Sequence, residues 1–420
     1  MLLKKSFTFL GYNFDKNSLT ATFSYLGPEK TKYTEKIVFK KADEVYDEKL
    51  FEKALFLAFV LIGTSYYKCS PTKTVKLPHP LDTFQADFFN HVYQEGLSQF
   101  AFENGLERKN LASFKAKKSA DNSSKSSYSG SGVLALQSGG KDSLLTATLL
   151  SENSISFVPW YLSSGTSHPS VLDNLGSPLV TTTRKLDLEN LKKGKFNGHV
   201  PVTYINQSIA LLQAILLNKK TILVSIGQEG NEAHAKIGDL KVNHQWSKTW
   251  EAEQLFAKYV KNYISKDIEI GSPLRQFSEL KIAKLFAEKC WKKYKTSFSS
   301  CNVANYRQSA DNKNLSWCGE CAKCANTFIL FAPFLKKSEL TSIFNGKDLF
   351  EDKNLEKIFK GLLGIDGEMK PFECIGEIPE LRKAYNLKKS DFKDLPFSVP
   401  DSNFDLEKLH PHQSFTNINF

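Results

Sequence analysis

The 420-residue sequence lacks an apolar run of membrane-spanning length. Its longest, "ALFLAFVLIG" from Ala54 to Gly63, is about half of the roughly 20 residues that a bilayer-crossing helix needs. It reads as a core helix, and no membrane partner is expected. The N-terminal "MLLKKSFTFLGYNF" has two lysines but no sustained apolar region and no small-residue cleavage site. Nothing in it directs the chain to secretion, so a cytoplasmic location is expected. A paired-cysteine framework is also missing: the cysteines number seven, an odd count, and three of them crowd into one short cluster. That usage points to metal ligands in a reducing compartment. Arginine is scarce, five of the 56 basic residues (Arg108, Arg184, Arg275, Arg307 and Arg382). The net charge of +11 therefore rests on lysines on solvated faces and not on forked phosphate or base recognition, and no nucleic-acid partner is expected. With 41% hydrophobic and 24% charged residues, global disorder is excluded and there is material for two or three domains.

Along the chain, residues 6 to 40 are short alternating runs broken by Asp15-Lys16-Asn17 and Gly27-Pro28, which predicts a small antiparallel sheet. Two helices are expected next, from Asp47 to Gly63 and from Asp82 to Phe102. The second opens with Asp82 and Gln85 in capping-box spacing and repeats Phe84, Phe88 and Val92 on one face. This α+β domain is set at residues 1–113. Residues 114–131, "FKAKKSADNSSKSSYSGS", have little to bury and read as a linker or loop. From Val133, apolar strands alternate with amphipathic helices, which argues an α/β domain with a doubly wound parallel sheet over residues 132–335. Residues 336–420 read as a mainly helical extension, and no internal repeat is visible.

Two motifs carry specific chemistry. "VLALQSGGKDSLL" places Ser138, Gly139, Gly140, Lys141, Asp142 and Ser143 between a strand and a helix. The glycines let backbone N–H groups approach an anion, and the helix start adds a positive dipole end. "WCGECAKC" gives Cys318, Cys321 and Cys324, and Cys301 stands 17 residues before the first of them. Four thiolates suit a closed tetrahedral zinc site, with an iron–sulfur cluster as the chemical alternative. Between the motifs lie polar stretches at expected strand and helix ends: "NGHVPVT", "GQEGNEAH", "VNHQWSKTWEAE" and "SPLRQFSEL". Taken singly, each is as compatible with capping or a solvated loop as with function.

"SGGKDS" after a first strand resembles the PP-loop of the ATP pyrophosphatases. That likeness implies a HUP-like wound sheet, ATP bound by residues 138 to 143 with magnesium, and cleavage between the α and β phosphates. The cysteine order resembles the zinc site of the 7-cyano-7-deazaguanine synthases within that superfamily. Taken in order, "SGGKDS", "NGHVPVT", "VNHQWSK", "SPLRQFSEL", "FSSCN" and "WCGECAKC" resemble more closely the MurL family, the UDP-N-acetylmuramoyl-L-alanyl-L-glutamate epimerases of peptidoglycan synthesis. "GTSYYK" and "LDTFQADFF" support the likeness, which covers roughly residues 50 to 335.

This resemblance implies an ATP-dependent inversion of the terminal L-Glu of UDP-MurNAc-L-Ala-L-Glu through an acyl-adenylate, with release of AMP and diphosphate. The expected partner is that nucleotide-sugar dipeptide, with no obligate protein partner. The cofactors are ATP, Mg²⁺ and a structural Zn²⁺. His199, His234, His244, Lys248 and Cys301 are the candidate proton carriers, and Cys301 leaves that set if it binds metal. Asn197, Asn243 and Arg275 are candidate substrate contacts. Three other readings stay open: a deazaguanine nitrile synthase, a tRNA-modifying thiolase using an iron–sulfur cluster, and a zinc-stapled binding module without activity.

Overall fold

A computed structural model describes residues 5–117, 123, 126–307, 313–415, 418 and 420. Residues 118–122, 124 and 125 of the expected linker lie outside them. The strands are β1 (Ser6–Asp15), β2 (Thr20–Leu26), β3 (Lys32–Phe39), β4 (Thr74–Lys76), β5 (Val133–Leu136), β6 (Phe157–Ser163), β7 (Val180–Lys185), β8 (Thr221–Leu223), β9 (Ala235–Ile237), β10 (Leu240–Val242) and β11 (Glu269–Gly271). The helices of eight residues or more are α1 (Glu48–Ile62), α2 (Thr83–Gln94), α3 (Lys141–Glu152), α4 (Val202–Leu216), α5 (Trp250–Tyr263), α6 (Glu279–Lys289), α7 (Ala322–Phe331), α8 (Glu356–Leu363) and α9 (Ile378–Asn386).

Nine strands form one mixed, mostly parallel sheet in the order β11-β8-β5-β6-β7-β3-β2-β1-β4. The five strands from β11 to β7 pair in parallel. The expected antiparallel strands β1 to β3 form, but not as a sheet of their own: β3 pairs with β7 from Lys36 opposite Lys185 to Phe39 opposite Thr182. A buried fork welds the same seam, with Arg184 donating from Nε to Glu35 Oε1 at 2.6 Å and from Nη2 to Oε2 at 3.3 Å and to Ser65 Oγ at 2.8 Å. The N-terminal strands thus continue the parallel sheet.

Alternation along the strands supplies both cores. Leu134 and Trp160 point to a core closed by α1, α2, α4 and α5, whereas Ala135 and Tyr161 point to one closed by α3 and α6 to α9. Helices therefore cover both faces of this α/β sheet. The run from Ala54 fills the second half of α1 and ends on its C-cap, Gly63; with Gly63 and Thr64–Tyr67 the segment Glu48–Tyr67 is 20 residues long, with mean hydropathy 1.3 and 83% burial in its most apolar window. That length exceeds the sequence expectation, and the helix packs within the first core.

The capping box at Asp82 forms, with its carboxylate accepting from Gln85 N at 2.9 Å. The expected helix from Asp82 to Phe102 is nonetheless two helices, Thr83–Gln94 and Ser98–Glu103. Gly96 sits at the break, where a Cβ would lie 2.4 Å from Val92 O and 3.2 Å from Pro201, so close packing against the "HVPV" segment decides the turn. The C-terminal extension is only partly helical. After Leu387 the described residues form no helix, and His410 to Ser414 fold back on the sheet, with His410 N donating to Gln276 O at 2.9 Å and Ser272 N to Ser414 Oγ at 3.1 Å.

Candidate active site

The strand order reverses direction at β5, whose neighbours β6 and β8 lie on opposite sides. Open α/β sheets hold ligands at such a switch point, outside the carboxyl ends of the strands. "SGGKDS" leaves β5 there, "GQEG" leaves β8, and "SPLR" leaves β11. Gly139 has φ of +79° and a Cβ on it would stand 2.5 Å from Leu315 Cδ1, so this turn requires glycine. Gly140 N donates to Ser138 Oγ at 3.3 Å and Ser138 N to Ser143 Oγ at 3.2 Å. Helix α3 starts at Lys141, directly behind the turn.

Lys141 is 7% exposed and donates to Asp142 Oδ1 and Glu279 Oε2, each at 2.6 Å. Burial opposes its charge, but the two carboxylates prevail and hold it well above the ordinary lysine value. Burial raises Glu279 well above the carboxylate range, against the pull of Lys141 and with help from Asp142 and Glu229. Glu380, from α9, is raised to about 8 by burial and by the charge of Glu279. Lys248 Nζ lies 3.3 Å from both oxygens of Glu229. Burial disfavours its charge, and the Cys374 sulfur, Glu229, Glu279 and Asp142 together more than restore it. Buried Lys141 and half-buried Lys248 thus share three carboxylates at the switch point.

The three candidate histidines converge. The β9–β10 hairpin returns the chain so that His234 and His244, ten apart in sequence, have ring centroids 6.3 Å apart, and His199 comes within 4.4 Å of His244 from the loop before α4. Burial is the main cause that lowers His199 and His234 to about 3 and His244 to about 4. All three rings are therefore neutral near pH 7, each with an imidazole lone pair. Lys248 joins them through Cys374, which also lies 3.6 Å from His244.

The asparagines hold loops. Asn243 Nδ2 donates to Gly230 O at 2.6 Å and its Oδ1 accepts from Gln245 N at 2.8 Å; Asn197 Oδ1 accepts from Lys68 Nζ at 2.7 Å. The side chain of Asn243 also lines a cleft of about 530 Å³ with Gly230, Asn231, Trp250 and His412. Arg275 corrects the expectation of a substrate contact. It is 1% exposed, and its guanidinium is taken up by Glu253 at 2.8 Å and the carbonyls of Gly227, Lys248 and Thr249 at 2.9, 2.8 and 3.4 Å. It positions the loops that carry Glu229 and Lys248.

Cys301, Cys318, Cys321 and Cys324 place their sulfurs within 4.8 Å of one another. Neighbouring pairs stand 3.5 to 3.7 Å apart, close to the roughly 3.8 Å edge of a tetrahedron with 2.3 Å metal–sulfur bonds. A multi-iron cluster would hold its cysteines further apart. Cys301 faces this quartet and not the histidines.

The C-terminal extension supplies what the sequence reading missed. Segment 370–380 closes over the strand ends: Lys370 pairs with Glu232 at 2.6 Å, Glu377 accepts from Asn231 N at 3.0 Å, and Glu380 accepts from Leu280 N at 3.0 Å. The run "KPFECIGEIPE" is the signal that could have found it, three acids and a cysteine beside two prolines in an otherwise unmarked stretch.

Residues 3–272 match the MurL N-terminal domain and residues 297–397 the MurL C-terminal domain. The chain belongs to the MurL family. Relatives from Salinispora tropica, Xanthomonas oryzae pv. oryzae and a Micromonospora species are all named UDP-N-acetyl-alpha-D-muramoyl-L-alanyl-L-glutamate epimerase. The first is 32% identical over 93% of this chain and 87% of its own length. The second is 32% identical over 79% and 74%, and the third 31% identical over 93% and 89%. This makes the chain an enzyme of a family of epimerases. The MurL N-terminal match runs unbroken across residues 113 and 131, as the sheet does, and the MurL C-terminal match takes in the cysteine quartet and segment 370–380.

Proposed function

We propose that the enzyme inverts the terminal L-glutamate of UDP-MurNAc-L-Ala-L-Glu to the D form, driven by ATP, in peptidoglycan precursor synthesis. The observation that carries this reading is the glycine turn at Ser138 to Ser143. It stands at the switch point of the sheet beside buried Lys141, and Asp142 of the turn acts on the charge of Lys248, which in turn acts on His244 of the histidine cluster. The names of the relatives supply the substrate. Under this reading the turn is a PP-loop in a HUP-like wound sheet.

The chemistry explains why both halves are needed. A Cα–H beside a carboxylate is a very weak acid, because its loss places a second negative charge next to the first. Transfer of AMP from ATP to that carboxylate removes the charge and leaves an acyl-adenylate. The backbone N–H groups of Gly139 and Gly140, the hydroxyls of Ser138 and Ser143, and the Lys141 ammonium would bind the departing diphosphate. Asp142 offers the hard oxygen that Mg²⁺ prefers next to those phosphates. With the charge masked, a neutral base takes the Cα proton, and the enolate that forms is stabilised by a cation. Among His199, His234, His244 and Lys248, the histidines fit the first role and the Lys248 ammonium the second, or the delivery of a proton to the opposite face. Hydrolysis of the adenylate then makes inversion irreversible. The spacing of the sulfurs supports a structural Zn²⁺ held by the four cysteines, as in a reducing cytoplasm.

Incubation with ATP, Mg²⁺ and the L-Glu nucleotide in deuterated water tests the reading. AMP and deuterium at Cα of the D-Glu product are expected. No AMP, or AMP without deuterium at Cα, rejects it, and full diphosphate release by Lys141→Ala would remove the PP-loop assignment.

A further inference from the structure

Cys374 enters the site from the C-terminal extension. Of the seven cysteines, four form the quartet, while Cys69 and Cys290 are buried in the cores. Cys374 is half-buried, and its Sγ lies 3.6 Å from Nε2 of His244. Its backbone is held rigidly: Ile375 N donates to Gln245 Oε1 at 3.0 Å while Gln245 Nε2 donates to Ile375 O at 3.2 Å. The residue after the cysteine is therefore bound to the residue after the histidine.

A chain of contacts also fixes the tautomer of His244. Gln99 Nε2 donates to Glu103 Oε1 at 2.7 Å. That turns the Gln99 carbonyl toward His244 Nδ1 at 2.6 Å, and a carbonyl again only accepts. Nδ1 therefore carries the hydrogen and Nε2 presents its lone pair to the Cys374 thiol. A thiol, an imidazole within reach and a third group orienting the imidazole are the parts of an activated cysteine. Burial keeps the ring neutral at rest, with His244 lowered to about 4, and the sulfur is also close enough to Lys248 to favour its charge.

We propose that Cys374 is one of the two groups that exchange the Cα proton, acting as a thiol–imidazole pair with His244, with Gln99 and Glu103 as positioning residues; this rests on the epimerase reading above. His244 Nε2 takes the thiol proton, leaving thiolate beside imidazolium. The sulfur lone pair takes the Cα proton and an S–H bond forms. The electron pair of the broken C–H bond moves between Cα and the carbonyl carbon, and the carbonyl π pair moves to oxygen as an enolate. A proton from the second carrier then reaches the opposite face of Cα and restores the C–H bond with inverted configuration. The imidazolium proton leaves through solvent, which also refills the second carrier.

The test is Cys374→Ser in the full chain, run beside the wild type with ATP, Mg²⁺ and each glutamate epimer in deuterated water. The expected result is AMP release close to wild type, net inversion slowed by about 100-fold or more, and deuterium entering Cα from one epimer only, because a single carrier remains. Inversion within about threefold of wild type would overturn the assignment. Failure of the wild type itself to invert would instead sink the epimerase reading, so the two failures are distinct. On the unmodified enzyme, iodoacetamide followed by peptide mass analysis should label Cys374 ahead of Cys69 and Cys290, and the L-Glu nucleotide should protect it. Labelling of Cys374 that the nucleotide does not slow counts against the proposal.

Discussion

His199, His234 and His244 show how burial selects a protonation state. Each would titrate near pH 6.5 in the unfolded chain, but the folded protein lowers them to about 3, 3 and 4. Between those values and pH 6.5 the unfolded chain binds protons that the folded one refuses. Their contribution is therefore complete above pH 6.5 and is lost as pH falls toward 3. Glu279 and Glu380 run the other way. Their raised folded values keep protons that the unfolded chain loses above about pH 4.5, so stability falls as pH rises from there, through about 8 for Glu380. Replacing His234 with glutamine removes one of the three refused protons. The melting temperature of His234→Gln should consequently fall less steeply than that of the wild type between pH 6.5 and pH 5, whatever the offset caused by lost stacking on Phe372, 5.2 Å away. Parallel slopes for the two proteins would contradict the assignment of His234 as a half-buried, neutral ring.

At the scale of elements, the cysteine quartet joins the loop at Cys301 to the loop and helix start at Cys318 to Cys324. Cys301 lies before the short helical turn at Val303–Arg307 and Cys324 lies in α7, and backbone N–H groups already point at the sulfurs, Gly319 N to Cys324 Sγ at 3.3 Å and Ala304 N to Cys301 Sγ at 3.4 Å. Asn302, next to Cys301, donates to Glu373 at 3.0 Å, which ties the quartet to the segment carrying Cys374. Elemental analysis of the purified enzyme is expected to find about one zinc per chain. Cys324→Ser should lose most of it and lower the melting temperature. A stoichiometry of several irons with inorganic sulfide would replace zinc with a cluster. The turn at Gly139 and the fork of Arg275 belong to the same scale: each was visible in the sequence as a residue type at a loop, and for Gly139 the expected strand-to-helix turn forms. The turn at Gly139 is legible because a positive φ is a local requirement, whereas the partners of Arg275 come from two separate segments, Gly227 and residues 248–253, and no local pattern announces them.

Across the whole molecule, the N-terminal strands and the parallel strands stand or fall together. β7 would become an exposed edge without β3, and the Glu35–Arg184 pair would leave a cation 12% exposed with no partner carboxylate. A chain beginning at residue 114 is therefore expected to be insoluble or to lack a cooperative melt, while the full chain melts in one transition through the shared sheet. A soluble, cooperatively folded fragment of that kind would show that the β3–β7 seam is dispensable.

Strand alternation, amphipathic helices, the glycine turn and the cysteine spacing are local patterns, set by backbone geometry and by the short reach of a turn or a metal. They were legible in the sequence, and with them the α/β character, the strand-to-helix turn at Ser138 to Ser143 and the residues of the quartet. The sequence alone also marked the three histidines and Lys248 as polar residues near strand ends. Tertiary structure decided which of these meet. The β9–β10 hairpin brings His234 to His244, the β3–β7 pairing merges two expected sheets into one, and segment 370–380 delivers Glu380 and Cys374 to the switch point from far along the chain. Such contacts depend on where distant segments dock, because each partner satisfies a buried charge or hydrogen bond that the other leaves open, and no short window of sequence contains both.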